Sequence, residues 1–211
     1  MRILTETVGP LAAASANCIA TSQAGVGGTA LTLADSPYEL DTPRRVIVTS
    51  AGNDTGIYFA IVGTNSSSMP VTENLTGASG GAAQSANDFA TVTSVTPSGN
   101  TAANVTVGTN GVASTRPINL DNWGFGPTSI QVDVSGTVNY TVQQTLNDCN
   151  GSGGIPAVNW VDHPDTNLVG ATAIKQGNYA YIPFWVRLLL NSGTGSATIT
   201  LIQAGPTGGY R

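Results

Sequence analysis

The sequence predicts an all-β chain: two β-sandwich domains, jelly-roll or Ig-like, preceded by an extended N-terminal arm. Three observations carry that expectation. From residue 30 onward, apolar residues recur at every second position over short runs, the period of a strand with one buried face. Clusters of Gly, Pro, Asn, Asp and Ser separate those runs at short, regular intervals, as sandwiches and barrels require. Nothing follows the helical period, and no βαβ unit is present.

The length of 211 residues suits one large β domain or two of about 100 residues each. The arm is assigned to residues 1–29, the first domain to 30–116, a linker to 117–127 and the second domain to 128–211. Residues 1–29 are small and polar, with too few large side chains for a core. Ile3 and Val8 suit a strand added to a sheet edge, and Leu11 to Ala14 a brief helical turn. Neither is stable without a neighbour.

The first domain centres on Arg44 to Thr76, which reads as three strands. Val46 and Val48 alternate with Ile47 and Thr49, and Ser50 to Gly56 supplies turn residues. Ile57, Phe59 and Ile61 then alternate with Tyr58, Ala60 and Val62. A loop at Gly77 to Gly81 leads to Phe89–Val95, with further strands at Asn104–Val107 and Val112–Arg116. The pair Asn110-Gly111 suits a turn with positive φ. Beyond the linker, Ile130, Val132 and Val134 face Val138, Tyr140 and Val142 across Ser135-Gly136, and this reads as a hairpin. Tyr179 to Leu190 reads as one long central strand, with Arg187 at an interface or paired with Asp133.

Charged residues make up 9% of the chain, against about 25% in ordinary domains. Thr, Ser, Asn and Gly take their place, so the surface is polar but nearly uncharged. That removes the charge that keeps sheet edges and monomers apart, and it favours a protein embedded in an assembly. The net charge is −5, with one lysine and six arginines. Only Arg44 and Arg45 are adjacent, so no basic run is available to displace counterions from nucleic acid. The longest apolar run, Tyr179 to Leu190, contains Arg187 and is far short of the roughly 20 residues of a spanning helix. Glu6 and Pro10 interrupt the apolar N-terminal stretch, so no secretory leader is expected.

Candidates for chemistry are few. His163 lies between Asp162 and Asp165 but has no second histidine beside it, and Pro164 makes a turn the primary reading. Calcium held by Asp162, Asp165 and loop carbonyls is the residual reading. Gly77 to Gly81 spells G-x-S-x-G, yet a nucleophile elbow needs a strand before it and a helix after it. The Asn-x-Ser/Thr triplets beginning at Asn53, Asn65, Asn74, Asn104, Asn139 and Asn150 are expected by chance in so hydroxyl-rich a chain. Cys18 and Cys149 lack C-x-x-C spacing; free thiols are the default and a disulfide the alternative. No enzyme activity, metal or cofactor is assigned. Arg44, Arg45, Trp123, Trp160, Trp185 and Arg187 are the candidate interface residues. The tryptophans also raise the alternative of a carbohydrate- or receptor-binding module, because indole rings stack on sugar faces.

The run PRRVIVTSAGNDTGIYFAIVGT, Pro43 to Thr64, continued through Gly77, Phe89–Val95 and Val105–Gly111, resembles a region common in small structural proteins of tailed bacteriophages. The second half is similar to phage virion proteins through Val138–Gln143, Trp160, Arg187, Gly193–Gly195 and Thr198–Gln203. The two matches span most of residues 27–205. The resemblance implies a non-enzymatic, multi-copy, homo-oligomeric virion component, assembled in the host cytoplasm. It would decorate and cement the head by contacting the major capsid protein or other virion proteins, or belong to the head–tail neck or tail. It implies no nucleic-acid or membrane partner and transfers no binding residue.

Overall fold

The computed structural model describes residues 1–121, 128–150, 155 and 158–203. Among them the chain is all-β. Its strands are β1 (Arg2–Val8), β2 (Ser15–Gln23), β3 (Tyr38–Asn53), β4 (Tyr58–Thr64), β5 (Pro70–Thr76), β6 (Ser79–Pro97), β7 (Val105–Thr109), β8 (Ala113–Ser114), β9 (Ile118–Asn119), β10 (Thr128–Ser135), β11 (Val138–Thr145), β12 (Val161–Asp162), β13 (Lys175–Tyr179), β14 (Trp185–Gly193) and β15 (Ser196–Gln203). A 3₁₀ turn, Thr166–Leu168, lies between β12 and β13.

The strands fall into two compact units, residues 12–112 and residues 1–11 with 113–211. Along the chain, the first unit is therefore an insertion between β1 and the remainder of the second. The crossing points lie at 11/12 and 112/113, not at 29/30 and within 117–127. Composition marks where a chain turns; it does not say which distant strand it will join. The expected arm is accordingly not a separate element. β1 aligns with β15 over seven residues, from Arg2↔Gln203 to Val8↔Ala197, and forms a sheet edge, while β2 pairs with β7. Val8 and Leu11 are buried in the core, and this anchoring replaces the helical turn expected at Leu11–Ala14, which does not form.

The inserted unit is one antiparallel sheet in the order β2-β7-β3-β6-β4-β5 among the described residues. Ile19, Val46, Val48, Phe59, Ile61, Leu75, Phe89, Val92, Val95, Val105 and Val107 send side chains from all six strands into one core. Each fully buried aliphatic or aromatic side chain contributes about 1.5–3 kcal/mol of transfer free energy. The three strands expected across Arg44–Thr76 are present as the latter part of β3, then β4 and β5. However, β3 runs on to Asn53, and β6 begins inside the glycine-rich stretch expected to be a loop. Register shifts between β3 and β6 near Arg45 and Ile47 let these long strands bend.

The other unit has two sheets, β1-β15-β10-β13 and β12-β11-β14-β8, with β9 also on β14. Ile130, Val132, Ile199 and Leu201 of the first sheet and Tyr140, Val142, Val186 and Leu188 of the second join one core. The expected hairpin at Ile130–Val142 is not one. β10 pairs with β13 and β15, and β11 with β12 and β14, so the Ser135-Gly136 turn passes the chain from one sheet to the other. Alternation specifies which face is buried, not which strand lies alongside, and arch and hairpin share it. The link from β14 to β15 makes the same passage beside it. A Cβ on Gly195 would lie 2.2 Å from the Ser135 carbonyl oxygen, so only glycine lets the two arches touch. Tyr179–Leu190 is likewise two strands, β13 ending at Tyr179 and β14 starting at Trp185 in the other sheet. Pro183 lies between them, where it can neither donate to a ladder nor continue one.

Candidate functional site

Arg44 and Arg45, expected at an interface, are buried at 1% and 4% exposure. Neighbouring strand residues point to opposite faces, so the two guanidinium groups serve different partners. Arg44 Nη1 pairs with Asp41 Oδ1 at 3.0 Å, and Nη2 donates to the Ala12 carbonyl at 2.7 Å. The other Asp41 oxygen accepts the Ala12 N–H at 2.7 Å. The Arg45 backbone N–H donates to the Val112 carbonyl at 3.1 Å. Ala12 and Val112 are the first and last residues of the inserted unit. The arginine pair therefore staples together the points where the chain enters and leaves it.

The Arg45 side chain reaches into a second network. Its Nε lies 2.9 Å from Asp88 Oδ1, and Nη1 donates to the carbonyls of Ser85, at 3.0 Å, and Ala86. Ser85 Oγ accepts from the Val46 N–H and donates to the Asn87 carbonyl. From the opposite side the buried Glu73 carboxylate accepts the Ala86 N–H at 2.6 Å and, at 2.8 Å each, the Asn87 N–H and side-chain amide. The irregular stretch of β6 leaves backbone N–H and C=O groups that its ladder does not use, and these charged side chains satisfy them. Sequence reasoning missed Glu73, Ser85, Asn87 and Asp88. Glu73 did carry a signal: it occupies the inward position between Val71 and Leu75, where a lone carboxylate must have donors waiting.

Arg187 in β14 is buried as well. Its guanidinium carbon stands 4.1 Å from the centre of the Trp160 ring, and Nε donates to Gln143 Oε1 at 2.9 Å. Gln143 in turn donates to Asp162 Oδ1 at 2.9 Å. The register places Arg187 opposite Gln143 and Gln143 opposite Asp162, so a polar rung crosses β14, β11 and β12. The proposed pairing with Asp133 is not formed. Asp133 lies in the other sheet and accepts from Gln131. Trp160 and Trp185 are half-buried, and Trp185 packs against Phe184 with ring centres 5.7 Å apart. Trp123 lies outside the described residues. Nearby, Leu146, Val161 and Tyr181 are exposed around a cleft of about 270 Å³ that Pro183 also lines.

His163 is buried at 3% exposure, with its ring centre 4.7 Å from that of Tyr179. Burial lowers its pKa, against the opposing influence of Asp165 and the Asn178 backbone. The two carboxylates expected as calcium ligands point elsewhere: Asp162 to Gln143, and Asp165 Oδ1 to the backbone and side-chain amides of Asn167 at 2.9 and 3.0 Å. Asp165 thus caps the 3₁₀ turn, as Asp does in turns. Among the described residues no group of three or more His, Cys, Asp or Glu is placed to hold a metal ion. Cys18 and Cys149 are free thiols. Burial pushes the Cys149 thiol up to about 11, with Arg187 partly offsetting it. Ser79 of the G-x-S-x-G match opens a strand paired at Asn53, not a strand-to-helix elbow.

No protein-family model matches this chain, and no curated protein is significantly similar to it.

Proposed function

We propose that this chain is a non-enzymatic structural protein of a tailed-phage virion, acting as a capsid decoration protein that cements the head through subunit contacts. The observation that carries the reading is the charge content of 9%, joined to the resemblance of Pro43–Thr64 and Thr198–Gln203 to virion proteins. A chain with so little charge is poorly protected against association through its sheet edges and faces, and an assembly gives those surfaces partners. The buried roles of Arg44, Arg45 and Arg187 fit the same reading. With these cations committed inside the fold, contacts to the major capsid protein and to other copies rest on hydroxyl, amide and apolar groups. The β-sandwich reading of the two units belongs to this proposal; in the unit formed by 1–11 and 113–211, two sheets sharing one core support it.

Imaging of purified particles with the protein labelled tests the proposal directly. Decoration predicts hundreds of copies spread over the head, whereas a ring at the neck would replace it with the neck reading. Attachment should also persist as salt is raised, since screening acts on exposed ion pairs. Release by moderate salt alone would refute cementing by uncharged contacts.

A further inference from the structure

We propose that His163 is an acid-operated latch that holds segment 161–170 onto β11 and releases it when its ring takes up a proton. The segment is fastened along its length. The His163 N–H donates to the Val142 carbonyl at 2.9 Å, Gly170 N–H to Thr141 Oγ1 at 3.0 Å, and Asn139 Nδ2 to the Gly170 carbonyl at 3.0 Å. Leu168 is fully buried between these points. At the centre, His163 Nδ1 accepts the Asp165 backbone N–H at 3.0 Å.

That last bond sets the protonation state. A nitrogen that accepts a hydrogen bond carries no proton, so the neutral ring has its hydrogen on Nε2. Nε2 is buried without a well-formed hydrogen bond among the described residues, although the Asn178 backbone favours the protonated ring. Protonating Nδ1 turns the accepted bond into two donors facing each other. It also places a full charge in a site with little solvent, which is costly without a partner. Asp165 and the Asn178 backbone favour the charged ring, but desolvation outweighs them in the closed state. Asp165 is engaged with Asn167, and Asp162 with Gln143. Tyr179 from β13 presents its ring and is held neutral by burial. Tyr181 borders the adjoining cleft with its neutral phenol group, while Val142 and Leu168 are apolar. That cleft, of about 340 Å³, is lined by His163, Asp165, Asn178, Tyr179 and Tyr181, and it gives the charged ring a route to water.

The sign follows from linkage. The folded pKa lies below the ordinary value of about 6.5, so the unfolded segment binds the proton more readily than the latched one. The closed state is most stable above that value and loses stability as pH falls from it toward the lowered folded pKa. Amide hydrogen exchange on the whole chain, corrected for the intrinsic effect of pH, tests this. Between pH 7.5 and 5, protection of residues 161–170 should fall by up to about tenfold per pH unit, the limit for one proton. Val46–Ser50 in the inserted unit should stay protected. In His163→Gln, whose amide oxygen can still accept from Asp165, the pH dependence should disappear. Unchanged protection in the wild type, or the same loss in His163→Gln, would overturn the latch. Should that variant fail to fold, nitrogen-15 NMR of the wild-type imidazole at pH 7.5 decides: a proton on Nε2 supports the latch and a proton on Nδ1 refutes it.

Discussion

Two buried arginines in this chain are accommodated in opposite ways. Arg45 meets a carboxylate at 2.9 Å and two backbone carbonyls, inside a network that also contains Glu73. Arg187 sets its guanidinium carbon 4.1 Å from the centre of the Trp160 ring and donates to the neutral Gln143, which in turn donates to Asp162. In the first arrangement a direct ion pair faces the desolvated charge; in the second an aromatic face and a relayed dipole do. Burial alone therefore does not say what an arginine is for. The energetic consequence of losing its neighbour does.

The largest effect should follow from Asp88→Ala, which leaves Arg45 buried without its carboxylate. Breaking a buried pair from one side costs about 3–5 kcal/mol, read as a lowered midpoint in urea unfolding. The double variant Arg45→Met/Asp88→Ala should recover part of that loss. A Asp88→Ala cost under about 1 kcal/mol would show that the pair is effectively solvated, as surface ion pairs are. Next comes Glu73→Gln. A carboxylate receiving three N–H groups is replaced by an amide whose own N–H₂ must face one of them, at a cost of about 1–3 kcal/mol. The measurement is the same, and the accompanying loss of hydrogen-exchange protection should centre on Ala86 and Asn87.

The Arg187 site should respond more mildly. Trp160→Leu removes the ring beneath the guanidinium and should cost about 1–2 kcal/mol. Arg187→Lys should cost about as much, because an ammonium neither lies flat on the indole nor reproduces the guanidinium's fixed donor geometry. If both changes exceed Asp88→Ala, the ordering drawn between the two arginines is wrong. The smallest effect is chemical. With its pKa raised to about 11, the Cys149 thiol should resist alkylation at pH 8 until the unit unfolds, as peptide mapping would show. The sign of the linkage follows: this contribution to stability is complete below the unfolded thiol's ordinary range and is lost as pH rises through it toward 11.

Much of the fold was legible because alternation reports burial directly. Val46, Val48, Phe59, Ile61, Ile130, Val132, Tyr140 and Val142 are all core residues, as their spacing required. Candidate sites were harder to read, since an arginine in a low-charge chain looks like an exposed contact until its partners are known. Asp41 is only three residues from Arg44, but Ala12 is 32 residues away, and Asp88 reaches Arg45 across a strand pairing. The carboxylates beside His163 look like ligands in one dimension. In three dimensions each is occupied by an amide.

The sequence by itself determined the all-β class, the strand faces and the scarcity of charge, because each depends on residue type and period two alone. Tertiary structure decided the rest. It put β1 in a sheet with β15 while residues 12–112 form a unit of their own. It made arches of Ser135-Gly136 and Gly193–Gly195 where alternation would have allowed hairpins. It also turned Arg44 and Arg45 inward. Each outcome is a choice among distant partners, made by which backbone groups and charges are left unsatisfied when the sheets close, and local sequence carries no record of that competition.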